Sequence, residues 1–91
     1  MKYEIVPSNQ FKKDLKLAQK RGYDLDKIKK VITALANGEI LEAKYRDHLL
    51  TGDYGGYREC HIQSDGLLVY QIDGDQLILF LARTGTHSDL F

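Results

Sequence analysis

The side chains in this chain best suited to acid–base chemistry are three histidines and one carboxylate. His48, His61 and His87 come from three separate segments, and Asp65 follows His61 closely. A histidine with its ordinary pKa of about 6.5 can accept a proton, and one held charged by a nearby anion can donate it. If the fold brings these groups to one sheet edge, they form a candidate proton-transfer site. For each histidine alone, a surface or capping role is the ordinary alternative.

The same residue types could instead bind zinc, which takes histidine and carboxylate ligands readily. The spacing argues against a zinc site, because no two of the histidines stand two, three or four residues apart. No preorganised pair of ligands therefore exists, and we expect neither a metal ion nor another cofactor.

Charge is unevenly distributed along the chain, although the formal net charge is zero. Residues 1–48 carry eleven Lys or Arg against seven Asp or Glu, so this half has a charge of +4 and the remainder −4. Eight of the basic residues fall between Lys12 and Lys30. This region could attract phosphates although the whole molecule would not, and a solvated helix surface is the plainer interpretation.

The first half of the chain has the pattern of one strand followed by two helices. Residues 2–6 alternate polar and apolar side chains, as a short strand does. Apolar residues then recur at helical spacing over 11–18 and over 25–35, with Gly22 between the stretches and Asn37-Gly38 after the second. The short connection favours a helical hairpin whose two apolar stripes cover a common surface.

The second half has the pattern of a long irregular connection followed by three strands. Periodicity is lost over 37–56, and residues 57–62 then alternate, with Glu59 and His61 on one face and Cys60 and Ile62 on the other. After a turn at 64–66, two further strand candidates cover 67–72 and 76–82. Asp73-Gly74 between them predicts a two-residue hairpin turn. Residues 83–91 are expected to end the chain in a turn against the sheet.

The order βααβββ predicts one α+β domain over residues 1–91. It has two layers, with the helical hairpin packed on one face of a mainly antiparallel four-stranded sheet.

The apolar runs are far shorter than the roughly 20 residues that cross a bilayer, and residues 1–7 have no signal-peptide core. We therefore expect a cytoplasmic protein without membrane contacts. Its single cysteine, Cys60, is expected to be a buried and inert thiol.

Several segments spread over nearly the full chain form a specific set. They are FKKD at 11–14, LAQKR at 17–21, YRDHLL at 45–50 with Gly52, GYRECH at 56–61, Asp65, LLVY at 67–70 and RTGTHSDLF at 83–91. In this order and spacing they resemble the YafQ branch of the RelE superfamily of bacterial toxin–antitoxin systems. The fold that the resemblance implies, a βααβββ microbial ribonuclease-like domain, agrees with the topology predicted from periodicity.

The resemblance implies a toxin that cleaves messenger RNA on the ribosome without a metal ion. Its implied partners are the message with the surrounding ribosomal RNA, and a cognate antitoxin protein that neutralises it. An acidic antitoxin covering the basic region would be electrostatically complementary. Matching the functional positions of the family one at a time gives the expected site residues, which are His48, His61, Asp65, Arg83, His87 and Phe91.

These residue types suit cleavage by attack of the 2′-hydroxyl of the RNA on the adjacent phosphate. That reaction needs a base, an acid for the departing 5′-oxygen, and positive charge near the phosphate oxygens. We expect His48, His61 and Asp65 to handle proton transfer. Arg83 and His87 would stabilise the phosphate, and Phe91 would stack or pack at the base. Which histidine is the base and which the acid stays open.

Two features depart from the family pattern. Gly66 stands where members carry a tryptophan suited to base stacking, which leaves the codon preference open. The net charge is neutral, whereas toxins that dock on ribosomal RNA are usually basic, and the region from Lys12 to Lys30 compensates locally.

Two other functions share this fold pattern. One is a ParE-like toxin that poisons DNA gyrase by binding and cleaves no RNA, and the other is an interaction domain without catalysis. The histidine set favours the nuclease over both.

Overall fold

The chain adopts a mixed α+β fold. The structure is a computed structural model, and it describes residues 1–63 and 65–91. The elements are β1 (Glu4–Pro7), α1 (Asn9–Lys20), α2 (Leu25–Ala36), β2 (His48–Leu49), β3 (Arg58–Gln63), β4 (Gly66–Asp73), β5 (Ile78–Gly85) and α3 (His87–Leu90). The predicted α+β class and the order of its main elements are confirmed. None of the helices in these residues is long and apolar enough to span a membrane.

The sheet has five strands in the described residues, in the order β1-β5-β4-β3-β2. β1 runs parallel to β5, and the other neighbours are antiparallel. The prediction of four strands was wrong because it missed β2, in which His48 and Leu49 pair with Glu59 and Arg58. A two-residue strand is too short for alternation to show in a sequence. β2 matters here because it fixes His48 beside Glu59.

Helix capping by short polar side chains fixes where the two long helices begin. The amide of Phe11 donates to the Ser8 hydroxyl over 2.9 Å at the start of α1. The amide of Asp26 donates to the Asp24 carboxylate over 3.0 Å at the start of α2. Such side chains satisfy amides that the first helical turn leaves unpaired. After α1 the chain reverses through Gly22 in a left-handed conformation (φ 79°).

The main core lies between the two long helices and one face of the sheet. α1 packs over β5, and α2 packs over β3. Both apolar stripes are therefore buried on the predicted common surface. The buried residues of this core are Phe11, Ile28, Val31, Leu35, Ala36, Cys60, Ile62, Leu68, Tyr70, Leu79 and Leu81. Cys60 is buried as predicted, and this burial is the largest cause that raises the pKa of its thiol to about 12, with Asp47 and Glu59 adding to it. A raised pKa leaves little of the reactive thiolate.

A smaller apolar cluster covers part of the opposite face of the sheet. Leu67 and Val69 of β4 are buried there under Leu90 of α3. The tail was predicted to be a turn, but residues 87–90 form a helical turn with a reciprocal capping box between Thr86 and Asp89. The sequence carries that signal, because a threonine followed three residues later by an acidic side chain is typical of a capping box.

The connection between β4 and β5 also differs from the prediction of a two-residue turn. β4 ends at Asp73 and β5 begins at Ile78, so residues 74–77 form a longer loop. The Asp73 carboxylate accepts the amides of Asp75 and Gln76 over 3.0 and 3.1 Å. Leu77 then takes a left-handed conformation (φ 57°). The loop is built around the Asp73 side chain, which offers an alternative to the tight turn that Asp73-Gly74 usually favours.

Candidate active site

Two of the predicted site histidines lie side by side on the sheet face opposite the long helices. The ring centroids of His48 and His61 are 6.5 Å apart. Between them lies Glu59, whose Oε1 is 3.5 Å from His48 Nε2 and 3.8 Å from His61 Nε2. Strand pairing creates this arrangement, because Glu59 is the register partner of His48 and stands two residues from His61 on the same face of β3.

Glu59 is the main member of this cluster that the sequence did not single out. Its side chain is only 7% exposed, whereas His48 and His61 are 49% and 33% exposed. A buried carboxylate is unfavourable unless it is paired or hydrogen-bonded. The alternation of β3 did put Glu59 on the same face as His61, but only the short strand β2 shows that His48 joins them.

The backbone of Arg46 determines which nitrogen of His48 is free. His48 Nδ1 lies 2.7 Å from the carbonyl oxygen of Arg46, and a carbonyl can only accept, so Nδ1 carries the proton. In the neutral ring, the lone pair is then on Nε2, the nitrogen that faces Glu59 and solvent. Arg46 reaches this geometry in a left-handed conformation (φ 49°), which is uncommon for a residue other than glycine.

A partly buried hydrogen-bond network anchors the segment that carries His48. The Asp47 carboxylate accepts from the Tyr70 hydroxyl over 2.6 Å and from Arg58 Nε over 3.2 Å. Tyr70 belongs to the main core, where burial and the neighbouring Asp47 carboxylate raise the pKa of its hydroxyl. Asp47 therefore ties the loop before β2 to the core, while the next residue, His48, projects into the candidate site.

The other two aromatic site residues form a second group at the chain end. The rings of His87 and Phe91 are 5.2 Å apart, and Tyr54 lies edge-on to Phe91 at 5.3 Å. Phe91 is 51% exposed, so one side of its ring is open to a ligand. Tyr54 and Tyr57 both pack against the small apolar cluster of Leu67, Val69 and Leu90.

An ion pair and a capping box hold the helix that carries His87. Arg21 Nη1 lies 2.6 Å from Asp89 Oδ2, which joins the end of α1 to α3. The Asp89 carboxylate also accepts the amide of Thr86 over 3.0 Å. These contacts lower the pKa of Asp89 to about 2, and the hydrogen bond from Arg21 has the largest effect. A side chain at Gly85 would come within 3.2 Å of the same carboxylate, so glycine permits this close approach.

Arg83 is bound to a buried carboxylate of the helical layer. Its Nε and Nη2 donate to Asp14 over 2.9 and 3.1 Å, and the amide of Thr84 donates to the same carboxylate over 3.2 Å. The hydrogen bond that Arg83 donates to Asp14 is the first cause that raises the pKa of Arg83, and Tyr54 also contributes. The guanidinium therefore lies between α1 and the aromatic group of Tyr54, and part of its donor capacity is already used.

Asp65 stands apart from the imidazoles. It is exposed at the connection between β3 and β4, where it borders a groove with Gln63, Gly66 and the loop 22–24 between the long helices. Within residues 1–63 and 65–91, no hydrogen bond or ion pair joins Asp65 to a histidine. Ser64 of the predicted turn lies outside the described residues.

The two histidine groups share one face of the sheet, although they do not touch. Leu67 is the register partner of His61 on one side and of Gly85 on the other, and α3 begins two residues after Gly85. With strands about 4.8 Å apart, the backbones at His61 and Gly85 are roughly 10 Å apart. Leu67 and Val69 form the apolar floor between the two groups.

No group of three His, Cys, Asp or Glu side chains is arranged to hold a metal ion in the part of the chain that the structure describes.

Comparison with known proteins places this geometry in a family. Residues 3–91 match the family described as "Bacterial toxin of type II toxin-antitoxin system, YafQ". The chain belongs to this family. The resemblance to YafQ toxins is thereby confirmed, and with it the assignment to the toxins of type II toxin–antitoxin systems.

Individual relatives agree with the family over almost the whole chain. The mRNA interferase toxin YafQ of Escherichia coli K12 is 46% identical over 89 residues, which are 97% of this chain and 95% of that protein. YafQ in the E. coli DinJ–YafQ complex is 43% identical over 98% of each chain, with a TM-score of 0.88. A metal-bound toxin from Helicobacter pylori is 47% identical, with a TM-score of 0.91 over 98% of this chain and 99% of that one.

Proposed function

We propose that this YafQ-family toxin is an endoribonuclease that cuts messenger RNA on the ribosome, without a metal ion, and so inhibits translation. The observation that carries the proposal is the cluster of His48, Glu59 and His61 on the sheet face that also bears His87 and Phe91. The E. coli relative, which shares 46% of its residues, is named an mRNA interferase. The open sheet face offers an extended RNA strand a place beside these side chains.

His48 is the general base in the proposed reaction. Its Nδ1–H donates to the Arg46 carbonyl, so the free lone pair of the neutral ring is on Nε2. That nitrogen takes the proton of the RNA 2′-hydroxyl. The 2′-oxygen forms a bond to the adjacent phosphorus, and the bond from phosphorus to the 5′-oxygen breaks. The products are a 2′,3′-cyclic phosphate and a 5′-hydroxyl end.

His61 supplies the proton that the departing 5′-oxygen needs. In the proposed reaction His61 acts in its charged form, and the Glu59 carboxylate, whose Oε1 is 3.8 Å from His61 Nε2, pairs with it. His87 and Arg83 stabilise the phosphate, and Phe91 packs on a base. Asp65, which is apart from the imidazoles in the free protein, takes part through contacts with the RNA.

The partner that neutralises the toxin is a cognate antitoxin. The solved E. coli relative is bound to DinJ, and the basic half of this chain offers an acidic protein a complementary surface. A toxin that acts on translating ribosomes works in the cytoplasm, which is where we place it.

The experiment that tests the function is induced expression followed by mapping of the cut ends on a translated message. We expect new 5′-hydroxyl ends within minutes and none in His61→Ala or His48→Ala, since a general acid or base contributes roughly 10²–10⁴-fold. Circular dichroism should show both variants folded. Wild-type cleavage by His61→Ala would refute the assignment of roles.

Three controls separate the proposal from its alternatives. Purified chain should cut a message on translating ribosomes far faster than the same message alone, and a strong chelator should leave the rate unchanged. Coexpression of the antitoxin should abolish the cuts. DNA damage signalling with intact messages would instead indicate the gyrase poison, and unimpaired growth would indicate an interaction domain without catalysis.

A further inference from the structure

A basic cleft opens at the edge of the sheet next to the histidine cluster. Its volume is about 500 Å³, which is within the range of pockets that bind small ligands. It exists because β2 pairs only with Arg58 and Glu59, so β3 has no strand beside its later residues on this side. The cleft runs from His61 around that edge to α2, on the other side of the sheet.

Four cationic side chains from two elements line this cleft. Lys27 and Lys30 come from α2, and Lys44 and Arg46 come from the segment before β2. All four are exposed. The lining includes no carboxylate in the described part of the chain. In the described part of the chain these cations form one ion pair, which joins Lys44 to Glu42 over 3.9 Å. Both of its side chains are more than two-thirds exposed, so this ion pair is weak.

Such a concentration of like charge is unfavourable for the free protein. Lys27 and Lys30 are three residues apart on one helix, where side chains are neighbours and like charges repel. The cations of the other segment face them across the cleft. An anion in the cleft would relieve this repulsion, and a polyanion would contact several of the cations at once.

The cleft is connected to the candidate active site by two residues. His61 lines the cleft and also faces Glu59. Arg46 also lines it, and the backbone carbonyl of Arg46 accepts from His48 Nδ1. Tyr45 between the cationic residues packs against the main core and so fixes their position. A phosphate in the cleft would therefore be close to a phosphate held between the imidazoles.

We propose that this cleft binds the phosphate backbone of the RNA strand next to the scissile bond, with Lys27, Lys30, Lys44 and Arg46 as phosphate contacts. The inference rests on the proposed function and deepens it. Single-stranded RNA is bound by positively charged grooves that track its backbone, and continuity with His61 favours the substrate strand over a separate ligand. An acidic segment of the antitoxin is the competing occupant.

The test measures binding without cleavage. The purified full-length chain is titrated into a fluorescent single-stranded RNA in which every 2′-hydroxyl is methylated, so that no 2′-oxygen can attack. Fluorescence anisotropy then gives Kd at several salt concentrations. Lys27→Gln with Lys30→Gln removes two cleft charges. The matched control is Lys13→Gln with Lys29→Gln, which removes two exposed helix charges elsewhere and leaves the same net charge.

We expect the cleft variant to lower the slope of log Kd against log salt by about 1.4, which corresponds to two phosphate contacts on a single strand. Its Kd at low salt should rise roughly tenfold while the control stays within about twofold of wild type. Equal effects of the two variants would overturn the proposal, because they would indicate diffuse attraction only. Unchanged RNA binding with weakened binding of the purified antitoxin would overturn it in favour of the acidic partner.

The two proposals fail in different ways. If the cleft variant binds methylated RNA poorly but the wild-type chain cuts no translated message, the proposed function is wrong and the cleft remains an RNA site. If the wild type cuts messages but the cleft and control variants bind alike, the function stands and the cleft assignment is wrong.

Discussion

At the scale of single residues, the site depends on a carboxylate shared by two imidazoles. Glu59 is buried and its Oε1 faces Nε2 of both His48 and His61, so it can accept a hydrogen bond from a ring that carries a proton on that nitrogen. A carboxylate that positions a histidine in this way is a recurrent feature of acid–base sites. The isosteric change to glutamine removes the charge and keeps the shape.

We predict that Glu59→Gln lowers message cleavage by roughly 10²-fold, near the lower limit of what one general acid or base contributes. The reason is that no charge remains to favour a protonated imidazole. Single-turnover cleavage should show the loss, while the free energy of unfolding in urea should stay within about 1 kcal/mol of wild type, since no buried charge is left unpaired. The control is Glu39→Gln on the exposed surface. Wild-type cleavage by Glu59→Gln would contradict the shared-carboxylate role.

Only part of this site could be predicted from the sequence. The alternation of β3 places His61 and Glu59 on one face, and the resemblance to the family supplies His48, His87 and Phe91. The sequence could not show that His48 pairs with Glu59, because β2 is two residues long and carries no periodic signal. Nor could it show that Asp14 already binds Arg83, since these residues are 69 positions apart and only the packing of α1 on β5 joins them.

At the scale of elements, the candidate site is assembled from short segments that are held by polar contacts. The segment before β2 is anchored by Asp47 to Tyr70 and Arg58, and α3 is anchored by Asp89 to Arg21. The long elements behave differently. Their apolar spacing was enough to predict α1, α2 and the central strands, because burial of a continuous stripe determines them.

We predict that Tyr70→Phe lowers the free energy of unfolding by about 1.5–3 kcal/mol, the usual effect of losing a hydrogen bond to a charged group. It should also lower cleavage, because the loop that carries His48 is held less tightly. Urea unfolding of Tyr70→Phe, Asp47→Asn and the double variant gives the coupling energy between the two residues. A coupling near zero would mean that the 2.6 Å contact has no energetic role.

We predict that α3 loses its anchor in acid. The pKa of Asp89 is lowered from its ordinary value to about 2, so its stabilising contacts are complete above pH 4 and are lost as the pH falls through about 2. In Arg21→Ala the pKa of Asp89 should rise toward the ordinary value, since Arg21 is the first cause of its lowering. NMR titration of the Asp89 carboxyl carbon checks this, with Lys20→Ala as the control. An unchanged titration in Arg21→Ala would refute the ion pair in solution.

At the scale of the whole molecule, the Asp14 carboxylate helps to join the helical layer to the far side of the sheet. Asp14 on α1 is 8% exposed and accepts from Arg83 and from the backbone of Thr84 on β5. The same guanidinium lies beside Tyr54, which packs on Phe91. Arg83 therefore has two expected roles, as a structural link between the layers and as a contact for the phosphate of the RNA.

These two roles can be separated because they respond differently to substitution. We predict that Arg83→Ala lowers the free energy of unfolding by about 2–4 kcal/mol, between the values for exposed and fully buried ion pairs, because Asp14 is left without its partner. Arg83→Ala combined with Asp14→Asn leaves no unpaired charge and should recover part of that stability. Cleavage should stay low in the double variant, since no cation then faces the phosphate. If cleavage recovered together with stability, Arg83 would be a purely structural residue, and positive charge at the phosphate would have to come from His87 alone.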